Sequence, residues 1–228
     1  MAKRRRRRTS VRGRSVSSLR RQQGELAPRQ CILIVCEGEK TEPNYFWALR
    51  REWKLTPVEV SVVPGSECGS APISVVDHAI RVRNQRKRDA QNGSTSQLEF
   101  DEVWCVFDQE CSPSHSSFHR AVQKARDNGL ELAVSTPAFE YWYLLHFAKT
   151  DQPFGSAHEV IEALKRHIPH YEKGWDGVHE LLSRTKVAIK RARQLWSQRA
   201  DKEEEYPNPS TLVFALVEKL QAMCSPRA

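Results

Sequence analysis

The chain has 228 residues, 39% of them hydrophobic and 28% charged, with a net charge of +8. That length and apolar content allow one large domain with a buried core, and no run approaches the roughly 18 apolar residues of a membrane-crossing helix. The six cysteines form no CxxC pair, and Cys31 and Cys105 sit inside apolar runs as small core residues do, so a reducing cytoplasm is the expected setting.

The charge is unevenly placed. Residues 1–29 carry eleven Lys or Arg, including the run Arg4, Arg5, Arg6, Arg7 and Arg8, against one acid, Glu25. That makes the segment +10 and leaves −2 for the remainder, so the basic character belongs to the tail. A stretch this polar and aperiodic is expected to be disordered and attracted to nucleic-acid phosphates in a salt-dependent way. No apolar h-region of the ~7–15 residues that a signal peptide needs follows the basic start, so a secretory signal is not expected.

From Cys31 the pattern changes. Cys31 to Val35 is short, apolar and unalternating, as in a strand covered on both faces. It runs into Cys36-Glu37-Gly38-Glu39-Lys40-Thr41-Glu42-Pro43, where Gly38 permits a turn and Pro43 suits a helix start. Phe46, Leu49 and Trp53 then follow helical spacing. Residues 58–63 alternate as a second strand, 64–70 form a loop, 74–88 a helix and 90–97 a polar loop. Residues 101–107 are a third strand ending in Asp108-Gln109-Glu110. A helix around Phe118, Val122 and Ala125 closes at Asn128-Gly129, and Leu130–Val134 is a further strand. Pro137–Phe147 is aromatic and predicts a buried helix carrying Glu140. Residues 158–200 read as helical, and Asn208-Pro209-Ser210 opens a last helix carrying Leu212, Val213, Leu216 and Leu220. Strands alternating with helices predict an α/β fold: a mainly parallel central sheet flanked by helices, with a helical C-terminal part. The expected organisation is a tail, 1–29, and one folded domain, 30–222.

Glu37 and the pair Asp108/Glu110 each follow an apolar strand, and ligands of open α/β sheets bind at that edge. On neighbouring parallel strands these ends lie ~5 Å apart, and converging carboxylates repel one another unless a cation is present. Hard oxygen donors suit Mg²⁺ or Mn²⁺, and an ion held there can polarise a phosphodiester.

These residues resemble a known family. Glu37-Gly38, the later Asp108-x-Glu110 and the βα units between them resemble the Toprim fold. Cys36–Phe46, Val106–Asp108, Ser135–Phe147 and Asn208–Thr211 look like the RloB-like family over about residues 30–220. The resemblance implies Mg²⁺- or Mn²⁺-dependent phosphodiester cleavage of DNA or RNA, in bacterial restriction or abortive-infection loci and often beside a partner ATPase. It implies that Glu37 is a metal ligand or general acid/base, that Asp108 and Glu110 bind metal, that Glu140 is a fourth acid and that Lys40 neutralises the scissile phosphate; Glu39 and Glu42 are weaker ligand candidates. The chain departs from the Toprim pattern in carrying Glu110 where Asp is usual and Thr41 where related nucleases place an acid.

Other signals carry less. Gly38–Thr41 lacks the spacing of a phosphate-binding loop, so ATP hydrolysis by this chain is not expected. His115/His119 and His167/His170 lack companions at zinc spacing. His146 reads as a core histidine able to orient Glu140. Lys186 and Lys190, with Arg191 and Arg193, form a basic helical face that could follow a nucleic-acid backbone. The alternative to a nuclease is a non-catalytic nucleic-acid-binding or regulatory subunit of a defence system.

Overall fold

The computed structural model describes residues 30–56, 59–93, 98–110, 116–199 and 204–224. The expected tail, with Arg4 to Arg8, lies outside them, as do Cys111 and His115. The elements in order are β1 (Ile32–Cys36), α1 (Thr41–Glu52), β2 (Val60–Val63), α2 (Gly65–Cys68), α3 (Pro72–Gln91), β3 (Glu102–Asp108), α4 (Ser116–Asp127) and β4 (Glu131–Thr136). They continue with α5 (Glu140–Leu145), α6 (Ala157–Lys165), α7 (His179–Leu182), α8 (Thr185–Ser197), β5 (Ser210–Thr211) and α9 (Val213–Cys224).

The strands form one sheet in the order β2-β1-β3-β4-β5. Every pairing is parallel except β4 with β5. The expected α/β fold with a mainly parallel sheet is what the chain adopts.

The unalternating run of β1 has a direct cause. Ile32, Ile34 and Cys36 face one hydrophobic cluster, shared with α1, α5, α6, α8 and α9. Leu33 and Val35 face a second, shared with α3 and α4. Successive side chains point to opposite faces of a strand, so a strand covered on both faces needs apolar residues at every position. All five residues of β1 are fully buried. No described helix is long and apolar enough to cross a membrane.

The order of the strands creates the crevice. From β1 the chain goes first to β2 on one side and then to β3 on the other. The connections leaving β1 and β3 therefore diverge, and in α/β sheets such a reversal leaves a cleft outside the carboxyl ends of the strands. Glu37 and Asp108 stand at those two ends.

Two expectations need correction. Residues 158–200 are not continuously helical: α6 ends at Lys165, and an irregular stretch precedes the short α7. Pro169 removes a backbone donor that a helix interior requires, and Gly174 adopts φ +85, outside the helical region. The Asn208-Pro209-Ser210 segment does not begin the last helix either. Ser210 and Thr211 pair antiparallel with Thr136 and Ser135, and α9 starts only at Val213. The Thr211 hydroxyl joins the two: it hydrogen-bonds the Ser135 hydroxyl at 2.9 Å and accepts the Val213 N–H at 3.2 Å.

Thr211→Val keeps the shape but removes the partner of a fully buried hydroxyl and of a helix-terminal N–H. Stranding a buried polar group costs ~1–3 kcal/mol, so urea unfolding should show a loss of that order. An unchanged midpoint and slope would show that the Thr211 hydroxyl contributes nothing.

Candidate functional site

The turn after β1 is held from three directions. The Glu37 N–H continues the sheet ladder to the Val106 carbonyl at 2.9 Å. The Gly38 N–H donates to the Glu42 carboxylate at 3.1 Å. The Gly38 carbonyl accepts the Gly65 N–H at 3.0 Å. The approach of Gly65 is so close that a Cβ there would lie 1.9 Å from the Glu37 carbonyl oxygen, so no larger residue fits without moving the turn. The Glu37 carboxylate then reaches across to the next strand and accepts the Asp108 N–H at 3.0 Å.

Asp108 ends β3 opposite Ser135 of β4, and the backbone N–H of Phe139 favours its ionised form slightly. The turn that carries Phe139 leads into α5, whose first residue, Glu140, is 3% exposed and accepts the Tyr171 hydroxyl at 3.0 Å. Glu42 is 5% exposed in the first turn of α1. Glu37, Glu42, Asp108, Glu110 and Glu140 all line one cleft of about 380 Å³, together with Lys40, Lys173 and Ser70.

The segment after α6 makes one wall of this cleft. The Gly174 N–H donates to the Thr41 hydroxyl at 3.3 Å, and its carbonyl accepts from the Asn44 side chain at 3.4 Å. Gly174 combines φ +85 with a close approach: a Cβ would lie 2.8 Å from Cδ of Lys40. The stem of Lys40 therefore rests on bare backbone, with the residue exposed at the cleft.

The crowding of acids has an electrostatic result. Withdrawal from water pushes the Asp108 carboxyl well above the usual carboxylate range, and Glu42, Glu140 and Glu37 push it further. Burial likewise raises Glu42, to about 7, with Glu140 and Glu37 adding to the effect and hydrogen bonds from its own and the Gly38 N–H opposing it. Burial and like charge act in the same direction on an acid. A group of carboxyls with too few compensating cations is the donor chemistry that suits a hard divalent ion. They are not gathered as a finished cage: among the described residues no three His, Cys, Asp or Glu side chains form a ready metal cluster.

The family described as RloB-like protein matches residues 32–220, which spans β1 through most of α9. The chain belongs to the RloB-like family. No curated protein and no solved structure matches it.

The RloB-like chain thus brings Glu37, Asp108, Glu110, Glu140 and Lys40 to one cleft. It also places Glu42, a weaker candidate by sequence, in the buried centre of the group. Lys186 and Lys190 are exposed on α8 and do not line the cleft. Of their neighbours on α8, Arg191 donates to the Leu145 carbonyl at 2.8 Å and Arg193 pairs with Glu218, so both serve the fold.

His146 does not orient Glu140. Its Nδ1–H donates to the Trp142 carbonyl at 2.9 Å, since a carbonyl can only accept, and Nε2 faces the Tyr45 hydroxyl at 3.5 Å. Burial lowers its pKa to about 4, so it is a neutral core residue. Tyr171 is the group that holds Glu140 instead. Tyr171, Lys173 and Gly174 were hidden in a stretch that reads as helix, although Pro169 and Gly174 are legible breaks within it.

The raised carboxyls give a pH dependence of definite sign. An acid with its folded pKa raised contributes stability that is intact below the unfolded value and lost as pH rises through the folded one. For Glu42 that window runs from about 4.5 to about 7. Chelator-treated protein should therefore lose stability between pH 4.5 and 7.5, with Glu42 accounting for up to about 3 kcal/mol. Denaturant melts across this range test it. Glu42→Gln should flatten the profile; a wild-type profile that rises with pH would contradict the electrostatic description.

Proposed function

We propose that this protein is a metal-dependent nuclease that cleaves phosphodiester bonds of DNA or RNA at the cleft between β1 and β3. The observation that carries the reading is Asp108. It stands at the carboxyl end of β3, its N–H held by the Glu37 carboxylate from the next strand, in the field of Glu37, Glu42 and Glu140. Two neighbouring parallel strands delivering acids to a topological reversal support the Toprim resemblance drawn from the sequence.

In this reading Glu37, Asp108, Glu110 and Glu140 hold Mg²⁺ or Mn²⁺, and bringing Glu110 and Glu140 in completes the ligand set. When bound, the ion supplies Lewis-acid polarisation of a phosphate oxygen. Lys40 and Lys173, at the same cleft, neutralise the phosphate that faces the acids. Glu42, with a pKa near the working pH, suits proton transfer to or from the reacting oxygen, because a general acid or base works best when poised there. Tyr171 positions Glu140. The family membership supports a role in bacterial phage defence by abortive infection, with a partner ATPase, in the cytoplasm.

A second reading is a non-catalytic nucleic-acid-binding or regulatory subunit. It draws on the protein donors already facing Glu37, Glu42 and Glu140 and on the lack of a ready metal cluster among the described residues. One assay separates the two. Incubated with Mn²⁺ or Mg²⁺ and a panel of plasmid DNA, single-stranded DNA, tRNA and rRNA, with and without the partner ATPase, the wild-type chain should cut at least one. Outer-shell partners of a metal site are worth ~10–100-fold, so Asp108→Ala, which removes a ligand, should lower the rate by more. Binding without cutting, unchanged by Asp108→Ala and by chelator, would establish the subunit reading.

A further inference from the structure

A second hollow of about 380 Å³ lies further along α1. Its walls include Asn44, Trp47, Arg50 and Arg51 from the helix, and Asp176 and His179 from the segment beyond Gly174. The acidic cleft uses the preceding turn of the chain, Lys40 to Glu42, and the preceding residues of the same segment, Lys173 and Gly174. The two hollows are thus successive stretches of one trough between α1 and residues 173–179. The hydrogen bonds from Asn44 to Gly174 and from Gly174 to Thr41 form the sill between them. Thr41 and Trp47 are six residues apart, ~9 Å of helical rise, which one or two nucleotides of an unpaired strand can span.

The chemistry changes across the sill. The first hollow is crowded with carboxyls; the second offers an indole and guanidinium groups. Arg50 is tied to the Val60 carbonyl at 3.1 Å. Arg51 is exposed at the rim and Trp47 is partly exposed. An accessible aromatic face beside a guanidinium is how proteins take up unpaired nucleotides: the ring stacks on a base and the planar fork holds a phosphate.

We propose that this hollow is a nucleotide subsite, in which Trp47 stacks on a base of a single-stranded nucleic acid and Arg51 holds its phosphate. The strand continues over the sill, so that a neighbouring phosphate enters the acidic cleft; this last step rests on the nuclease reading, whereas the stacking does not. A paired base is already stacked within its helix, so the subsite selects loops, ends or melted segments. Specificity for unpaired substrate is then a property of Trp47 and Arg51, separate from the acids.

The test uses the full chain in chelator-containing buffer with tetranucleotides carrying 2-aminopurine, in RNA and DNA forms. The fluorescence of this base falls when it stacks on an aromatic ring, and a tail that merely attracts phosphate does not produce that signal. Wild type should quench it on saturation. Trp47→Ala should abolish the quench and weaken binding about tenfold, while Trp47→Phe retains part of it. Arg51→Ala, at an exposed position, should raise the Kd with the saturating quench unchanged. A preference for the RNA form would assign a ribose-hydroxyl contact; equal signals would assign base and phosphate alone. Absence of quench in wild type, or an equal quench in wild type and Trp47→Ala, would overturn the subsite. Quench without cleavage by any metal would leave the subsite standing and remove only the nuclease reading.

Discussion

Four carboxyl groups around the end of β3 repel one another, and the fold leaves them little room to separate. Asp108 is fixed by the strand that carries it and Glu37 by the ladder bond to Val106. Glu42 is fixed by α1 and Glu140 by the first turn of α5. The result is that Asp108 and Glu42 are pushed toward the protonated form, by burial first and then by their acidic neighbours. Such an arrangement opposes folding near neutral pH, and a protein retains it where a cation or a proton-transfer step uses it.

The surrounding structure is built to keep that arrangement. Gly65 lets a second segment press against the turn after β1, and Gly174 does the same against Lys40. Tyr171, from the same segment as Gly174, holds Glu140. These supports come from two separate parts of the chain, the start of α2 and the segment between α6 and α7, so the cleft exists only in the folded domain. Beneath it, the two hydrophobic clusters on opposite faces of the sheet hold β1 and β3 in register. The same segment that walls the acids also walls the hollow beside Trp47. A strand of nucleic acid laid along α1 would therefore meet an aromatic and cationic surface before the acidic one.

The parts of this plan that sequence reveals are those with local causes. A strand covered on both faces has no polar positions, so β1 and β3 stand out as apolar runs, and the acids at their ends stand out by contrast. Glu140 is conspicuous as one acid in an aromatic segment. What stayed illegible depends on distant partners. The hydrophobic spacing between residues 158 and 200 fits a helix on both sides of the break, and it masks Pro169 and Gly174. Ser210 and Thr211 are too short a strand to show alternation; only the pairing with β4 defines them. Glu42 looks like an ordinary first-turn acid, favourable at a helix start, until the packing around it is known. His146 and Glu140 are close in sequence, yet the histidine turns to a backbone carbonyl and a distant tyrosine supplies the hydroxyl.

The most direct measurement is calorimetric titration of Mn²⁺ into the chelator-treated full chain at pH 6.5 in buffers of different ionisation enthalpy. If the crowded carboxyls form a cation site, binding saturates and releases protons, because a cation stabilises the ionised form of Glu42 and Asp108, which burial pushes toward the protonated form. The apparent enthalpy then varies with the buffer, and Asp108→Ala loses the saturable site. Saturable binding with no proton release would contradict the electrostatic account of the cleft, and no binding at millimolar Mn²⁺ would contradict the metal site itself.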